Sequence, residues 1–179
     1  MLGTPRLLAL LLVACPMAPL AAQLSFGGRP IGLLPQGPRL PEPPLLVLPE
    51  VDAAALIAEE EARLAAGLKG PWRFGFNHEV DIRSDAHGAW ATLRNGDRVW
   101  RMAIACPGAH AINFRFNEYV LPEGGRVFVY SDRGHALGAF TRASAPKRQR
   151  LGVGQIPGER ITIEYHEPAA VSGQGRLRI

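Results

Sequence analysis

The most constraining feature of the sequence is a succession of three alternating runs of apolar and polar residues between positions 98 and 130. The runs occupy residues 99–105, 111–116 and 127–130. Because successive side chains of a β-strand point to opposite faces, a period of two predicts strands with one apolar and one polar face. Each run is therefore expected to place one face in a hydrophobic core.

Turn signals separate these runs. The sequence CPGA at 106–109 precedes the second run, and LPEGG at 121–125 precedes the third. Both have proline early and glycine late, an order that favours chain reversal. The three runs are accordingly predicted to form an antiparallel meander, and Asn95-Gly96 predicts a tight hairpin just before it.

The remaining strands complete the prediction of fold class. They are expected at 73–82, 88–93, 137–141, 161–165 and 176–179. Eight short strands separated by turns indicate a mainly β protein, an antiparallel β-sandwich of jelly-roll-like type. A chain of 179 residues that is 47% hydrophobic can form one core, so residues 71–179 are assigned to one β-sandwich domain.

Residues 1–22 are typical of a secretory signal peptide. Arg6 supplies the positive end, residues 7–13 form an apolar run too short to span a bilayer, and small residues allow cleavage between Ala22 and Gln23. The protein is therefore expected to be secreted or periplasmic.

A second interpretation of the same segment remains open. The run LVAC at 12–15 is typical of a bacterial lipoprotein, in which Cys15 would be lipidated and would anchor the protein in the envelope. With Cys15 in a removed or lipidated segment, Cys106 is left as a free thiol and no disulfide is predicted. No membrane contact is expected unless Cys15 is lipidated.

A proline-rich segment and one short helix precede the predicted strands. Seven prolines between residues 23 and 50 oppose both helix and strand ladders, which predicts an extended linker with polyproline character. A helix is predicted within 51–70, with Asp52 as its N-cap and Gly67 as its end. Glu59 and Arg63 are spaced to pair on its surface. Its apolar residues near one face are Ile57, Leu64 and Leu68.

Polar residues in the chain do not form a recognisable catalytic or metal-binding pattern. The five histidines, His78, His87, His110, His135 and His166, lack the spacing of metal ligands. Ser131, Asp132 and His135 crowd one predicted turn, where turn formation is the simpler role. No catalytic residue, cofactor or metal is therefore predicted. The dispersed net charge of +4 also argues against nucleic acid as a partner.

One dense basic run lies between Pro146 and Gly152. An exposed loop carrying Lys147, Arg148 and Arg150 is a candidate processing loop, because a protease binds a mobile loop in extended form. A solvated loop without a role is the simpler interpretation.

An ordered set of short motifs resembles a known family. The motifs are GAW at 88–90, WRM at 100–102, PGA at 107–109, NFRF at 113–116, LPEG at 121–124, VFVY at 127–130, LGAFT at 137–141, PGERI at 157–161 and IEY at 163–165. In this order they resemble the N-terminal pro-region of secreted bacterial lysyl endopeptidases, which are trypsin-like serine proteases made as preproenzymes. The resemblance covers residues 51–179.

The resemblance implies a precursor whose protease domain is absent from this chain. Cys106 stands where the family more often has serine. The family's Thr-Ala-x-His-Cys and Gly-Asp-Ser-Gly segments are missing, so no catalytic residue is implied here. The implied function is a pro-region that assists the folding of a trypsin-like, lysine-specific protease domain or inhibits it.

A function of another class is a stand-alone extracytoplasmic binding module for carbohydrate or protein, lipid-anchored if Cys15 is modified. Its candidate contact residues are Trp72, Trp90 and Trp100, of which Trp100 is expected in the core. Exposure of Trp72 and Trp90 on one concave surface would favour carbohydrate binding.

Overall fold

A computed structural model describes residues 25–145 and 149–179. The protein is mainly β, as predicted, with one helix before most of the strands. The helix is α1 (Ala53–Ala65), and the strands are β1 (Leu45–Val47), β2 (Ala89–Thr92), β3 (Arg98–Ala105), β4 (Ala111–Phe116), β5 (Glu118–Val120), β6 (Arg126–Ser131), β7 (Ala136–Phe140), β8 (Leu151–Pro157), β9 (Arg160–Glu167) and β10 (Arg176–Arg178). Among the described residues, no helix is both long enough and apolar enough to span a bilayer.

The larger sheet has six strands, in the order β1-β3-β9-β6-β7, with β2 also paired to β3. β1 runs parallel to residues 103–105 of β3, whereas β2 runs antiparallel to residues 98–101. These two short strands therefore lie end to end along the same edge of β3.

Two smaller sheets cover one face of the larger sheet. β4 pairs with β8, and β5 pairs with β10. Backbone hydrogen bonds link these two small sheets. Asn117 N donates to Arg178 O at 2.7 Å, and Tyr119 N donates to Gln149 O at 2.7 Å. Side chains from both layers form one core, which gives the chain a sandwich-like architecture. The core includes Trp100, Met102, Ile112, Phe116, Val127, Val129, Ile156, Ile161 and Ile163.

The predicted meander is wrong, although its strands and turns are present. β3 and β4 lie in different sheets, and β9 lies between β3 and β6. The turn at 106–109 is formed, with Ala109 N donating to Cys106 O at 3.1 Å, but it carries the chain from one layer to the other. Alternation specifies which face of a strand is buried, and it leaves the choice of neighbouring strand open.

The predicted strand at 73–82 is also wrong. Residues 68–82 have no strand structure, and the nearest backbone pairing with a strand is an isolated bridge between Arg83 and Arg178. β8 was not predicted. Its register with β4 shifts between Ile112 and Phe114, so its buried side chains do not follow a strict period of two.

The proline-rich segment is attached to the larger sheet and is not a free linker. We call residues 25–48 the strap. At one end Phe26 N donates to Ala139 O at 2.9 Å, and at the other Ala103 N donates to Pro44 O at 2.9 Å. Pro44 is tolerated because it precedes an edge strand and supplies only its carbonyl group. The strap thereby crosses the face of the sheet that lies opposite the main core.

Candidate functional site

Helix α1 begins and ends where the sequence predicts. The Asp52 carboxylate accepts a hydrogen bond from Ala55 N at 2.9 Å, and Gly67, with φ +70°, follows the last turn. Both features satisfy backbone groups at helix ends and depend only on local sequence. The helix is consequently stabilised at both termini by groups that are close in sequence.

The helix and the segment after it present apolar side chains to solvent. We call residues 53–77 the arm. Within the helix Glu60 is the buried residue, and every residue from 66 to 77 is exposed. Trp72, Phe74 and Phe76 are 52%, 85% and 54% exposed. The further exposed apolar residues of the arm are Ile57, Leu64 and Leu68.

A polar cluster holds the segment after the helix against the helix itself. Arg63 Nε donates to Glu60 Oε2 at 3.1 Å, and a second bond joins the guanidinium to the other carboxylate oxygen. The same guanidinium donates to the carbonyl oxygens of Leu68 and Pro71, each at 3.3 Å. Arg73 N donates to Glu60 at 3.4 Å. The arm is therefore braced by its own side chains.

The contact between Glu60 and Arg63 favours the ionised form of both side chains. The hydrogen bond from Arg63 lowers the pKa of Glu60, and the same bond raises the pKa of Arg63. The predicted pair of Glu59 with Arg63 does not form, because Arg63 contacts Glu60, three residues away. Glu59 instead pairs with Arg73 at 3.0 Å.

The tryptophans proposed for carbohydrate contact are not on one surface. Trp100 is buried in the core, as predicted, and its Nε1 donates to His87 O at 2.7 Å. The indole of Trp90 packs against Tyr165 and beneath the guanidinium of Arg98, 4.0 Å from the ring centroid. Only Trp72 of the three is exposed, so the arrangement that would favour carbohydrate binding is not formed.

The residues Ser131, Asp132 and His135 form the turn between β6 and β7. Ser131 N donates to His135 O at 2.9 Å, and Gly134 N donates to Ser131 O at 3.2 Å. The interpretation as turn formers is therefore confirmed.

Within residues 25–145 and 149–179, no three metal-ligating side chains cluster. Cys106 is half-buried at the end of β3, and burial raises the pKa of its thiol.

Several predicted sites lie outside the described residues. These are Cys15, Ala22, Gln23, Lys147 and Arg148. Arg150 of the candidate processing loop is described and is exposed directly before β8.

Two buried glutamates were missed by the sequence analysis. Glu164 alternates along its strand with Ile163 and Tyr165, a pattern that predicts a solvent-facing position, but it is fully buried. Its carboxylate accepts hydrogen bonds from Ile31 N at 2.5 Å, Gly32 N at 3.0 Å and the Tyr130 hydroxyl at 3.1 Å. Glu164 is buried because the strap covers this face of the sheet. Glu164 therefore attaches the strap to β9.

Glu167, at the end of β9, attaches the segment before β10 in a similar way. Its carboxylate accepts hydrogen bonds from Gly173 N at 2.8 Å, Gly175 N at 2.9 Å and the Tyr165 hydroxyl at 2.9 Å. Arg98 lies 3.4 Å away and supplies the opposite charge. Both glutamates belong to β9, and the adjacent or nearby Ile161, Ile163 and Tyr165 are the only sequence signal of a buried strand there.

A shallow depression beside β10 is lined by charged side chains. Arg83 pairs with Asp85 at 3.8 Å, and Arg176 pairs with Glu118 at 3.7 Å. Because these cations already have carboxylate partners, the depression offers a weaker site for a ligand than the arm does. The arm is accordingly the candidate functional site.

No protein-family model matches this sequence, and no solved structure matches it significantly.

Proposed function

We propose that residues 51–179 act as the pro-domain of a secreted, trypsin-like, lysine-specific protease, and that the arm is its contact surface. The observation that carries the proposal is the exposure of Trp72, Phe74 and Phe76 on a segment that is braced by the arm's own side chains. Large exposed apolar groups on a soluble domain mark surfaces that bind another protein.

The physical basis of such assistance is differential binding. A partner that binds the folded protease more tightly than the unfolded chain stabilises the folded state by mass action. Burial of aromatic side chains supplies much of that affinity, because aromatic residues dominate the energetics of protein interfaces. The braced arm presents three aromatic residues at alternate positions, 72, 74 and 76.

Refolding measures this function directly. A denatured lysine-specific serine endopeptidase is diluted from denaturant with and without the full chain, and the recovered peptidase activity is recorded. We expect the wild-type chain to raise the recovery or to inhibit the refolded enzyme. The double variant Trp72→Ala/Phe74→Ala is expected to lose the effect.

The matched control is Leu34→Ala, which removes an exposed apolar side chain from the strap and leaves the arm intact. It should behave as wild type. Unchanged recovery and unchanged activity in the presence of the wild-type chain would contradict the proposal.

A stand-alone module that binds protein is the second candidate, because an exposed aromatic segment suits any protein partner of complementary shape. Its carbohydrate version has lost support, since Trp90 and Trp100 are committed to packing. Titration of the chain with soluble polysaccharides, monitored by tryptophan fluorescence, separates the two versions. A saturable change that Trp72→Ala abolishes would restore the carbohydrate version.

A further inference from the structure

We propose that Lys69 is the residue with which the arm enters the lysine-binding pocket of its protease partner. This inference rests on the proposed function, and it adds the point of contact and the mode of binding. The short segment 68–71, called here the Lys69 loop, would occupy the substrate cleft and exclude substrate while the domain is bound.

Lysine is rare in this sequence, and its placement is unusual. Of the 20 lysine and arginine residues, only Lys69 and Lys147 are lysines. Lys147 lies outside the described residues. A protease selective for lysine therefore finds Lys69 as its one target side chain in the part of the protein that the structure describes.

The side chain of Lys69 is available to a partner. Its neighbours on both sides are exposed, and no acidic side chain within the described residues pairs with its ammonium group. The two nearby cations of the arm are occupied, because Arg63 is bonded to Glu60 and Arg73 to Glu59. Lys69 is thus the cation of the arm that remains free to meet an anionic pocket.

The backbone on both sides of Lys69 is fixed by a single guanidinium. Arg63 Nη1 donates to the carbonyl of Leu68, the residue before Lys69, and Nη2 donates to the carbonyl of Pro71, each at 3.3 Å. Gly70 allows this close approach, since a Cβ atom there would lie 2.6 Å from Arg63 Nη1. The Lys69–Gly70 peptide is therefore presented between two anchored carbonyl groups.

A braced lysine should bind a partner more tightly than a lysine that is merely exposed. A segment already held in one conformation loses less conformational entropy on binding, so more of its contact energy appears as affinity. A lysine ammonium on a long apolar stem complements a deep pocket with a negative charge at its base. Leu68, the first residue of the loop, and Trp72, which directly follows it, are exposed and are positioned in sequence to cover apolar surface around that pocket.

The test measures inhibition of a lysine-specific serine endopeptidase by the full chain, with a small chromogenic lysine ester as substrate. We expect competitive inhibition, weakened at least 100-fold by Lys69→Gln and about 10-fold by Arg63→Gln. Arg94→Gln, which removes an exposed cation outside the arm, is the matched control and should alter the inhibition constant less than twofold. Butylamine, whose alkylammonium group mimics the lysine side chain, should compete with the wild-type chain.

The outcomes separate this inference from the proposed function. Inhibition or assisted refolding that Lys69→Gln leaves unchanged would overturn the Lys69 contact and retain the pro-domain. Rapid cleavage after Lys69 without inhibition, detected by mass spectrometry, would also overturn it, because the loop would then be an ordinary substrate. A wild-type chain that neither inhibits nor assists refolding would overturn both. Circular dichroism and thermal unfolding of each variant verify that the fold is intact.

Discussion

Gly32 N donates a hydrogen bond to the carboxylate of Glu164 at 3.0 Å, although 132 residues separate the two in sequence. With Ile31 N and the Tyr130 hydroxyl on the same carboxylate, this bond attaches the strap to the centre of the larger sheet. Phe128, Tyr130 and Ala139 form a small apolar cluster on this face. The strap is therefore held by one buried polar contact as well as by apolar packing.

Replacement of Glu164 by alanine should release the strap. The backbone N–H groups of Ile31 and Gly32 would lose their acceptor, and we expect a loss of about 3 kcal/mol in the free energy of unfolding. Urea denaturation measures this loss, and trypsin should cut faster after Arg39 in the strap. The control Glu42→Ala removes an exposed carboxylate that pairs with Arg160 at 3.1 Å, and it should cost less than about 0.5 kcal/mol. Equal effects of the two variants would contradict the role of Glu164.

Removal of the hydroxyl group should have different effects on the free energy of unfolding at two buried tyrosines. The Tyr165 hydroxyl donates to Glu167 at 2.9 Å, so Tyr165→Phe should cost about 1–2 kcal/mol. The Tyr119 hydroxyl is buried and has no hydrogen-bond partner among the described residues. Tyr119→Phe should consequently be neutral or slightly stabilising. Chemical denaturation of both variants checks the prediction, and a large loss in Tyr119→Phe would contradict it.

Alkaline pH should weaken the fold through Tyr130. Burial, reinforced by the charge of Glu164, raises the pKa of Tyr130 to about 12. Because the folded state holds this proton more tightly than the unfolded state, the contribution is complete below about pH 10 and is lost as pH rises through 12. Unfolding free energies measured from pH 8 to 12 should therefore fall above pH 10. Tyr130→Phe should show a smaller fall, and an identical pH profile in the variant would be the contrary result.

Gly175 should not tolerate a side chain. A Cβ atom at this position would lie 1.9 Å from the Tyr165 hydroxyl oxygen, so Gly175→Ala must displace the Tyr165–Glu167 contact. We expect a loss of about 2 kcal/mol, measured by thermal and chemical unfolding. Gly75→Ala is the matched control, because no atom lies within 4 Å of its Cβ position. A stable Gly175→Ala variant would show that the loop before β10 adjusts freely.

Local patterns predicted the elements whose structure is set locally. Strand β4 begins and ends as its alternation predicts, and the cap at Asp52 and the glycine at position 67 place helix α1 correctly. Each of these features depends on residues within one turn or one strand. The mainly β class follows from the same signals summed along the chain.

Features that depend on distant contacts were not predictable in this way. The pairing of β3 with β9 joins residues about 60 positions apart, and nothing in either strand alone identifies the other. The proline content of the strap predicts a linker, because proline lacks the N–H group that a strand ladder requires. An edge strand, however, forms hydrogen bonds on one side only, so prolines at other positions do not prevent its pairing. The segment 72–76 alternates like a strand, but the structure offers it no neighbouring strand, and its aromatic residues remain exposed.

The end-to-end placement of β1 and β2 along β3 has a consequence for association between molecules. An open strand edge recruits strands from other molecules and promotes aggregation. Here the N–H group of Ala103 and the carbonyl group of Ala105 are already bonded to Pro44 and Leu48 of the same chain. The proline-rich segment thus blocks the addition of a strand from another molecule at this position. Its loss would leave the edge of β3 open to intermolecular pairing.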